Sequence, residues 1–100
     1  MRIKPGVILD KLQSPMLRVL LATNVAFSRQ GSEVTITSAL DGEHMKGSLH
    51  YKGLALDFRT QGLPLFIQNK IVKEINSELG DDFDVVLEKT HLHIEFDPKG

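Results

Sequence analysis

Cysteine is absent from this sequence of 100 residues. Its absence excludes disulfides, thiolate metal sites and cysteine nucleophiles. Any metal ion would therefore be bound by His, Asp or Glu, and the chain contains four His and 13 Asp and Glu residues. Imidazole nitrogens and carboxylate oxygens are the usual zinc ligands where no thiolate is available.

The sequence also lacks an excess of positive charge and a long apolar run. Its 12 Lys and Arg residues are scattered and balance the 13 acidic ones, so no basic stripe indicates nucleic-acid binding. No apolar run approaches the roughly 20 residues of a membrane span. The first ten residues lack the apolar stretch of a secretory signal. We expect a protein made in the cytoplasm, with neither nucleic acid nor a membrane as its partner.

Length and composition are typical of one globular domain covering residues 1–100, and we expect a monomer. A Ser-Pro pair and Gly31 bound a predicted helix over 15–29, and Gly80 ends a second helix over 64–79. In the first helix, the residues that recur at helical spacing and predict its packed face are Leu17, Leu20, Leu21, Asn24, Val25 and Ser28.

Four segments have the β-branched or alternating pattern of strands. They cover residues 33–38, 51–60, 83–88 and 91–96. Only Lys89 and Thr90 separate the last two, which indicates a tight hairpin. The order of elements favours an α+β fold, with a small antiparallel sheet and helices packed on one face.

Alternation along the strands divides their side chains between two faces of the sheet. On the last strand, Leu92, Ile94 and Phe96 are expected to face the helices. On the same strand, His91, His93 and Glu95 are expected to face the other way. Asp57 on the second strand falls on this opposite face as well. The pattern thus gathers possible zinc ligands on the face that the helices leave uncovered.

His50 precedes Asp57 by seven residues, an odd interval that would place the two on opposite faces of one flat strand. Either His50 lies in the loop before the strand, or a bulge near Gly53 corrects the parity. We favour the loop, because the preceding stretch, DGEHMKGS, is rich in turn-forming residues. The small residues Gly53 and Ala55 predict a groove beside the site for an extended substrate.

The ten residues from Ser48 to Asp57, SLHYKGLALD, resemble the Ser-x-His-x-x-Gly-x-Ala-x-Asp signature of the D-alanyl-D-alanine carboxypeptidase and hedgehog-type zinc peptidases. His91 and His93 form a His-x-His pair that is similar to the second signature of that family. The resemblance spans roughly residues 34–96. It implies a Zn²⁺ cofactor bound by His50, Asp57 and His93, and a small antiparallel sheet backed by helices.

The resemblance further implies a hydrolase that cleaves peptide bonds of bacterial peptidoglycan, of the D-Ala-D-Ala or L-Ala-D-Glu type. In such a zinc peptidase the metal activates a water molecule and a carboxylate moves its proton. Our candidate for that carboxylate is Glu88, with His91 as hydrogen-bond donor to the developing oxyanion. We expect Arg59 to hold a substrate carboxylate and Ser48 to orient the first signature.

The sequence departs from the family pattern in two places. Several members have the catalytic acid three residues before the ligand His, where this chain has Thr90. A second registration, Glu88-x-x-His91, restores the spacing and would make His91 the ligand in place of His93. The carboxypeptidases also have an Arg shortly after a Thr-Ser pair, and none follows Thr37-Ser38 here.

A chain of this size, with no wall-binding module, fits a phage lysis or virion enzyme that acts on the cell wall after release or as part of a particle. A second hypothesis is a metal-binding module without catalysis, or a phage structural component on the same scaffold. Iron, cobalt or manganese could occupy the same ligands, because selectivity also depends on geometry and supply.

Overall fold

A computed structural model describes residues 1–39 and 52–98 of the chain. In these two stretches it contains two helices and five strands, which confirms an α+β domain. In chain order the elements are β1 (Arg2–Ile3), α1 (Pro15–Arg29), β2 (Thr35–Ser38), β3 (Ala55–Arg59), α2 (Leu65–Leu79), β4 (Phe83–Leu87) and β5 (His91–Phe96).

The five strands form one mixed sheet in the order β1-β2-β3-β5-β4. β1 runs parallel to β2, whereas the other neighbours are antiparallel. The prediction of a wholly antiparallel sheet was therefore wrong at β1. Parallel neighbours need a long crossover connection, and α1 provides it between β1 and β2. A strand of two residues is too short to carry an alternation pattern, so no pattern predicts it.

Helix α1 begins at Pro15, as predicted, because proline suits the first helical turn, where its missing N–H has no intrahelical partner. Its packed face differs from the prediction: Leu17 and Leu21 are 63% and 67% exposed. The residues that it buries are Met16, Val19, Ala22, Thr23, Ala26 and Phe27. The helix is apolar over much of its circumference, so the spacing of its apolar residues fits more than one face.

Helix α2 buries Ile71, Ile75 and Leu79, which recur at helical spacing. Gly80 follows with a positive φ of 79°, a conformation that glycine adopts without steric cost. The buried residues of both helices join one apolar cluster with Leu56 and Phe58 of β3 and with Leu92 and Ile94 of β5. Both helices therefore cover the same face of the sheet, as expected.

The central pair β3 and β5 carries the residues of the candidate site. β3 is shorter than the predicted 51–60, and Lys52 and Gly53 before it form a turn. β5 has the predicted bounds and pairs with β4 across the predicted tight hairpin. In that hairpin the Glu88 N–H donates to the His91 carbonyl oxygen at 2.9 Å. In the part of the chain that the structure describes, neither helix is long and apolar enough to cross a membrane.

Candidate functional site

The candidate site lies on the sheet face opposite the helices. Asp57 pairs directly with His93 in the antiparallel register of β3 and β5. Arg59 pairs with His91, and Ala55 with Glu95. Alternate residues of a strand share a face, so these side chains emerge together, as the sequence pattern predicted.

His93 bridges two carboxylates. Its Nδ1 lies 2.8 Å from Asp57 Oδ1, and its Nε2 lies 2.7 Å from Glu95 Oε1. The hydrogen bond to Asp57 raises the pKa of His93 to about 9; burial opposes this shift and the hydrogen bond to Glu95 adds to it. The side chain is 18% exposed. Without a metal, His93 is therefore an imidazolium at neutral pH, and each ring N–H donates to a different carboxylate.

A second acid–histidine pair lies beside the first. His91 Nε2 is 2.7 Å from Glu88 Oε2 and 3.9 Å from Asp57 Oδ2. The Thr90 hydroxyl lies 3.3 Å from His91 Nδ1. Glu88 is more accessible than His91 and Asp57, with 49% of its side chain exposed. The prediction that a tight hairpin would place Glu88 across from His91 is confirmed.

Asp57 connects the two pairs because its two carboxylate oxygens point to different histidines. Oδ1 is the oxygen bonded to His93, and Oδ2 is the one nearer to His91. The Asp57 side chain is only 13% exposed. A buried carboxylate is costly unless it is paired, so the two imidazoles explain how Asp57 is accommodated among the buried residues of β3.

The structure brings together four of the predicted site residues, namely Asp57, Glu88, His91 and His93. Arg59 is exposed and occupies the position opposite His91 in the register. His50 and Ser48 lie outside the described residues. The convergence of His50 with Asp57 and His93 therefore stays a prediction.

The expected groove at Gly53 and Ala55 was wrong. Ala55 has no exposed surface and Gly53 is buried as well. A Cβ atom at position 53 would collide with the carbonyl oxygen of Lys11. The absence of a Cβ at position 53 thus allows the chain's own N-terminal segment to lie against it. That segment has no regular pattern in the sequence.

Glu95 is a site residue whose face the alternation predicts, but whose contact with His93 it does not. The pattern that indicates Glu95 as a site residue is the two-residue spacing of His91 and His93, which continues to Glu95 on the same face of β5. Within the described residues Glu95 also belongs to a carboxylate group with Asp84 and Asp97, whose nearest oxygens lie within 4.8 Å of one another. Exposed acidic groups of this kind are common in proteins that bind no metal.

Asp57 offers an oxygen and His93 a nitrogen on one face of the sheet, and both are ligand types that Zn²⁺ accepts. A metal ligand must be deprotonated. A cation on His93 would therefore replace one ring proton and the carboxylate contact that this proton makes. Comparison with protein-family models and with curated proteins finds no match to this chain. The resemblance to zinc peptidases consequently rests on the two signatures alone.

Proposed function

We propose that the protein is a zinc-dependent peptidase that hydrolyses peptide bonds of bacterial peptidoglycan. The observation that carries the proposal is the contact between two acid–histidine pairs through Asp57. One pair, Asp57 with His93, consists of two of the proposed zinc ligands. The other, Glu88 with His91, is the proposed proton-transfer pair. A peptidase of this class needs both functions within a few ångströms of the same scissile bond.

His50, Asp57 and His93 would hold the zinc ion. When bound, zinc acidifies a coordinated water molecule and polarises the scissile carbonyl. Three protein ligands leave one coordination position for that water, as in catalytic zinc sites. The negative charge of Asp57 would remain in place, while His93 would exchange its proton for the cation.

Glu88 is the residue that moves the proton in this proposal. Its Oε2 would take a proton from the attacking water and deliver it to the leaving amine. The exposure of its side chain allows it to contact a substrate, in contrast to the nearly buried Asp57. His91 holds Glu88 through Nε2. If the same N–H instead donated to the oxyanion, Glu88 would be released to accept the proton.

Arg59 would supply the substrate contact. A guanidinium recognises a carboxylate through paired hydrogen bonds, and the proposed D-Ala-D-Ala or L-Ala-D-Glu substrates both carry one nearby. The position of Arg59 opposite His91 places it two residue pairs away from Asp57 and His93 along the ladder, on the same face. Ser48 would orient the first signature.

Digestion of purified peptidoglycan tests the proposal. The zinc-loaded protein should release new amino termini, and a chelator should stop the release. Glu88→Gln should abolish it, because an amide cannot accept the proton. Glu78→Gln on α2 is the matched control and should retain activity. A zinc-loaded wild-type protein that releases no termini from walls of any tested composition would contradict the peptidase assignment.

A metal-binding module without catalysis is the alternative. It is favoured by the position of Glu88, five residues before His93 where several family members have the acid three before. The same assay distinguishes the two functions. A protein that binds zinc, hydrolyses nothing and is unaffected by Glu88→Gln would be a binding module.

A further inference from the structure

We propose that the outer face of α1 is a dimer interface, on which a second copy of this chain packs through the same face. This face carries an uncharged row of side chains, here called the α1 stripe, which consists of Leu17, Leu21, Asn24, Val25 and Ser28. The inference depends neither on a metal nor on the proposed peptidase activity. A dimer would differ from the monomer that we expect from length and composition.

The α1 stripe presents a continuous row of apolar side chains to solvent. Leu17 and Leu21 are 63% and 67% exposed, and Val25 is 36% exposed. They follow one another at intervals of four residues, so their side chains are neighbours along one side of the helix. Single exposed apolar residues are normal on a protein surface, whereas a contiguous apolar patch indicates an interaction site.

Two residues of α2, Leu65 and Phe66, are similarly exposed but do not form such a row. They are consecutive in the first turn of the helix, so their side chains point about 100° apart. The Lys70 ammonium nitrogen lies 5.9 Å from the centre of the Phe66 ring, which places a charge over this aromatic surface. The α1 stripe is therefore the better candidate for an apolar interface.

The charged residues beside the stripe already have partners within the chain. A groove of about 330 Å³ between α1 and α2 adjoins the stripe. On its rim, Arg29 Nη1 lies 3.4 Å from Glu74 Oε1, and Arg18 Nη2 donates to the Glu78 carbonyl oxygen at 3.4 Å. This rim has as many acidic as basic side chains, so it neither attracts a strongly charged partner nor repels a second copy. The surface that fits it is uncharged and apolar, as the α1 stripe itself is.

The spacing along the stripe fits a parallel pair of α1 helices. Intervals of four, three and four residues separate Leu17, Leu21, Asn24 and Ser28, and this is the repeat that keeps one seam of two helices in contact. In a parallel pair related by a two-fold axis, each residue faces its own counterpart. Leucine then packs on leucine, and the two Asn24 carboxamides can hydrogen-bond to each other. In an antiparallel pair each leucine would face a polar side chain instead.

The candidate site stays accessible in such a dimer. Both helices pack on one face of the sheet, and Asp57 and His93 lie on the other face. The two helix layers would therefore separate the two sheets, and the two sites would point away from each other. Dimerisation can consequently be measured on the metal-free protein, and its outcome does not bear on the proposed activity.

Sedimentation equilibrium of the metal-free protein tests the interface, over concentrations from about 1 μM to 1 mM. The average mass of the wild type should rise with concentration towards that of two chains. Leu17→Glu and Leu21→Glu should each raise the dissociation constant at least about 10-fold, because they place two carboxylates opposite each other in an apolar seam. Leu65→Glu is the matched control, since Leu65 is 65% exposed, and it should dimerise like the wild type.

Single-cysteine variants test the parallel orientation, because the chain has no cysteine of its own. Leu17→Cys places two thiols opposite each other in a parallel pair, and mild oxidation should convert it to a disulfide-linked dimer. Leu65→Cys is the control for collisions between exposed thiols and should cross-link more slowly. Equal rates of cross-linking in the two variants would overturn the parallel arrangement.

Three further results would overturn the interface. The first is a wild type that stays monomeric up to the highest concentration. The second is a dimer whose dissociation constant is unchanged in the glutamate variants, which would place the interface elsewhere; either variant suffices for this decision if the other fails to fold. The third is a monomer that binds phosphatidylcholine vesicles and loses this binding in Leu21→Glu, which would make a lipid surface the partner of the stripe.

Discussion

The two faces of the β3–β5 ladder differ completely although they are made by adjacent residues of the same two strands. On the helix-covered face, Leu56, Phe58, Leu92 and Ile94 have no exposed surface. On the other face, a network of hydrogen bonds and close charge contacts links Asp57, Glu88, His91, His93 and Glu95. A shift of one residue along either strand would exchange the faces. Apolar burial on one face therefore determines the register on which the polar network of the other face depends.

The largest expected effect on stability comes from the apolar face. Leu92→Ala should lower the free energy of unfolding by about 2–5 kcal/mol, because it leaves a cavity in the core. Urea denaturation of the metal-free protein measures the loss. Its neighbour His91 provides the matched control, since His91→Ala should cost less than about 1 kcal/mol on the partly exposed face. If His91→Ala and Leu92→Ala lowered the free energy of unfolding equally, the packed face would not be the main source of stability.

The second effect is a pH dependence of the stability of the metal-free protein, and it originates at His93 on the polar face. The pKa of His93 is raised from 6.5 to about 9 in the folded protein. Its contribution to stability is therefore complete below pH 6.5 and is lost as the pH rises through 9. The metal-free protein should lose up to about 3 kcal/mol across this window, since each pKa unit corresponds to about 1.4 kcal/mol. Urea midpoints between pH 6 and 10 measure it.

His93→Gln is the control for this pH dependence. Its urea midpoint should change much less than that of the wild type between pH 6 and 10. Zinc affinity should move in the opposite direction, rising with pH over the same window, because zinc and the proton compete for the ring. A wild-type midpoint that stays constant from pH 6 to 10 would mean that the contacts of His93 do not favour its protonated form.

A smaller loss of stability is expected at Asp57. Asp57→Ala removes the acceptor of His93 and should cost about 1–3 kcal/mol without metal. It should also remove most of the zinc affinity. Asp57→Asn keeps an oxygen of similar shape but loses the charge, so it should weaken zinc binding less than Asp57→Ala does. Calorimetric titration with zinc measures the difference, and equal affinity in all three proteins would exclude Asp57 as a ligand.

The smallest effect on stability is expected at Glu88. Its side chain is half exposed, so Glu88→Gln should change the free energy of unfolding by no more than about 0.5 kcal/mol. Thermal melting of the metal-free protein measures this change. If Glu88→Gln lowered the free energy of unfolding as much as Leu92→Ala does, Glu88 would be a structural residue. A loss of peptidase activity in Glu88→Gln could then not be assigned to proton transfer.

The sequence predicted the elements best where a pattern extends over several residues. Both helices and the bounds of β5 follow from repeated spacing and from glycine or proline at the ends. It predicted the packed face of α1 badly, because Leu17 and Leu21 satisfy the same period as the buried Met16 and Val19. The parallel strand β1 was missed, since its two residues depend on a partner more than 30 positions away.

For the candidate site, alternation alone placed Asp57, His91 and His93 on one face, and the hairpin placed Glu88 beside His91. The contacts of Glu95 and Gln13 could not be predicted. Alternation places Glu95 on the face of His93 but does not indicate that its Oε1 lies 2.7 Å from His93 Nε2. The hydrogen bond from Gln13 Nε2 to the Lys52 carbonyl oxygen joins residues 39 positions apart, and such a contact is determined by the tertiary fold and not by any local pattern.

Zinc K-edge X-ray absorption on the metal-loaded protein tests whether His50, Asp57 and His93 bind one zinc ion. We expect one zinc ion per chain in an environment of nitrogen and oxygen only, with the multiple-scattering signal of two imidazoles. His50→Ala and His93→Ala should each reduce that signal to one imidazole or lose the metal. A wild-type zinc site with no imidazole, or an unchanged spectrum in His93→Ala, would exclude this set of ligands.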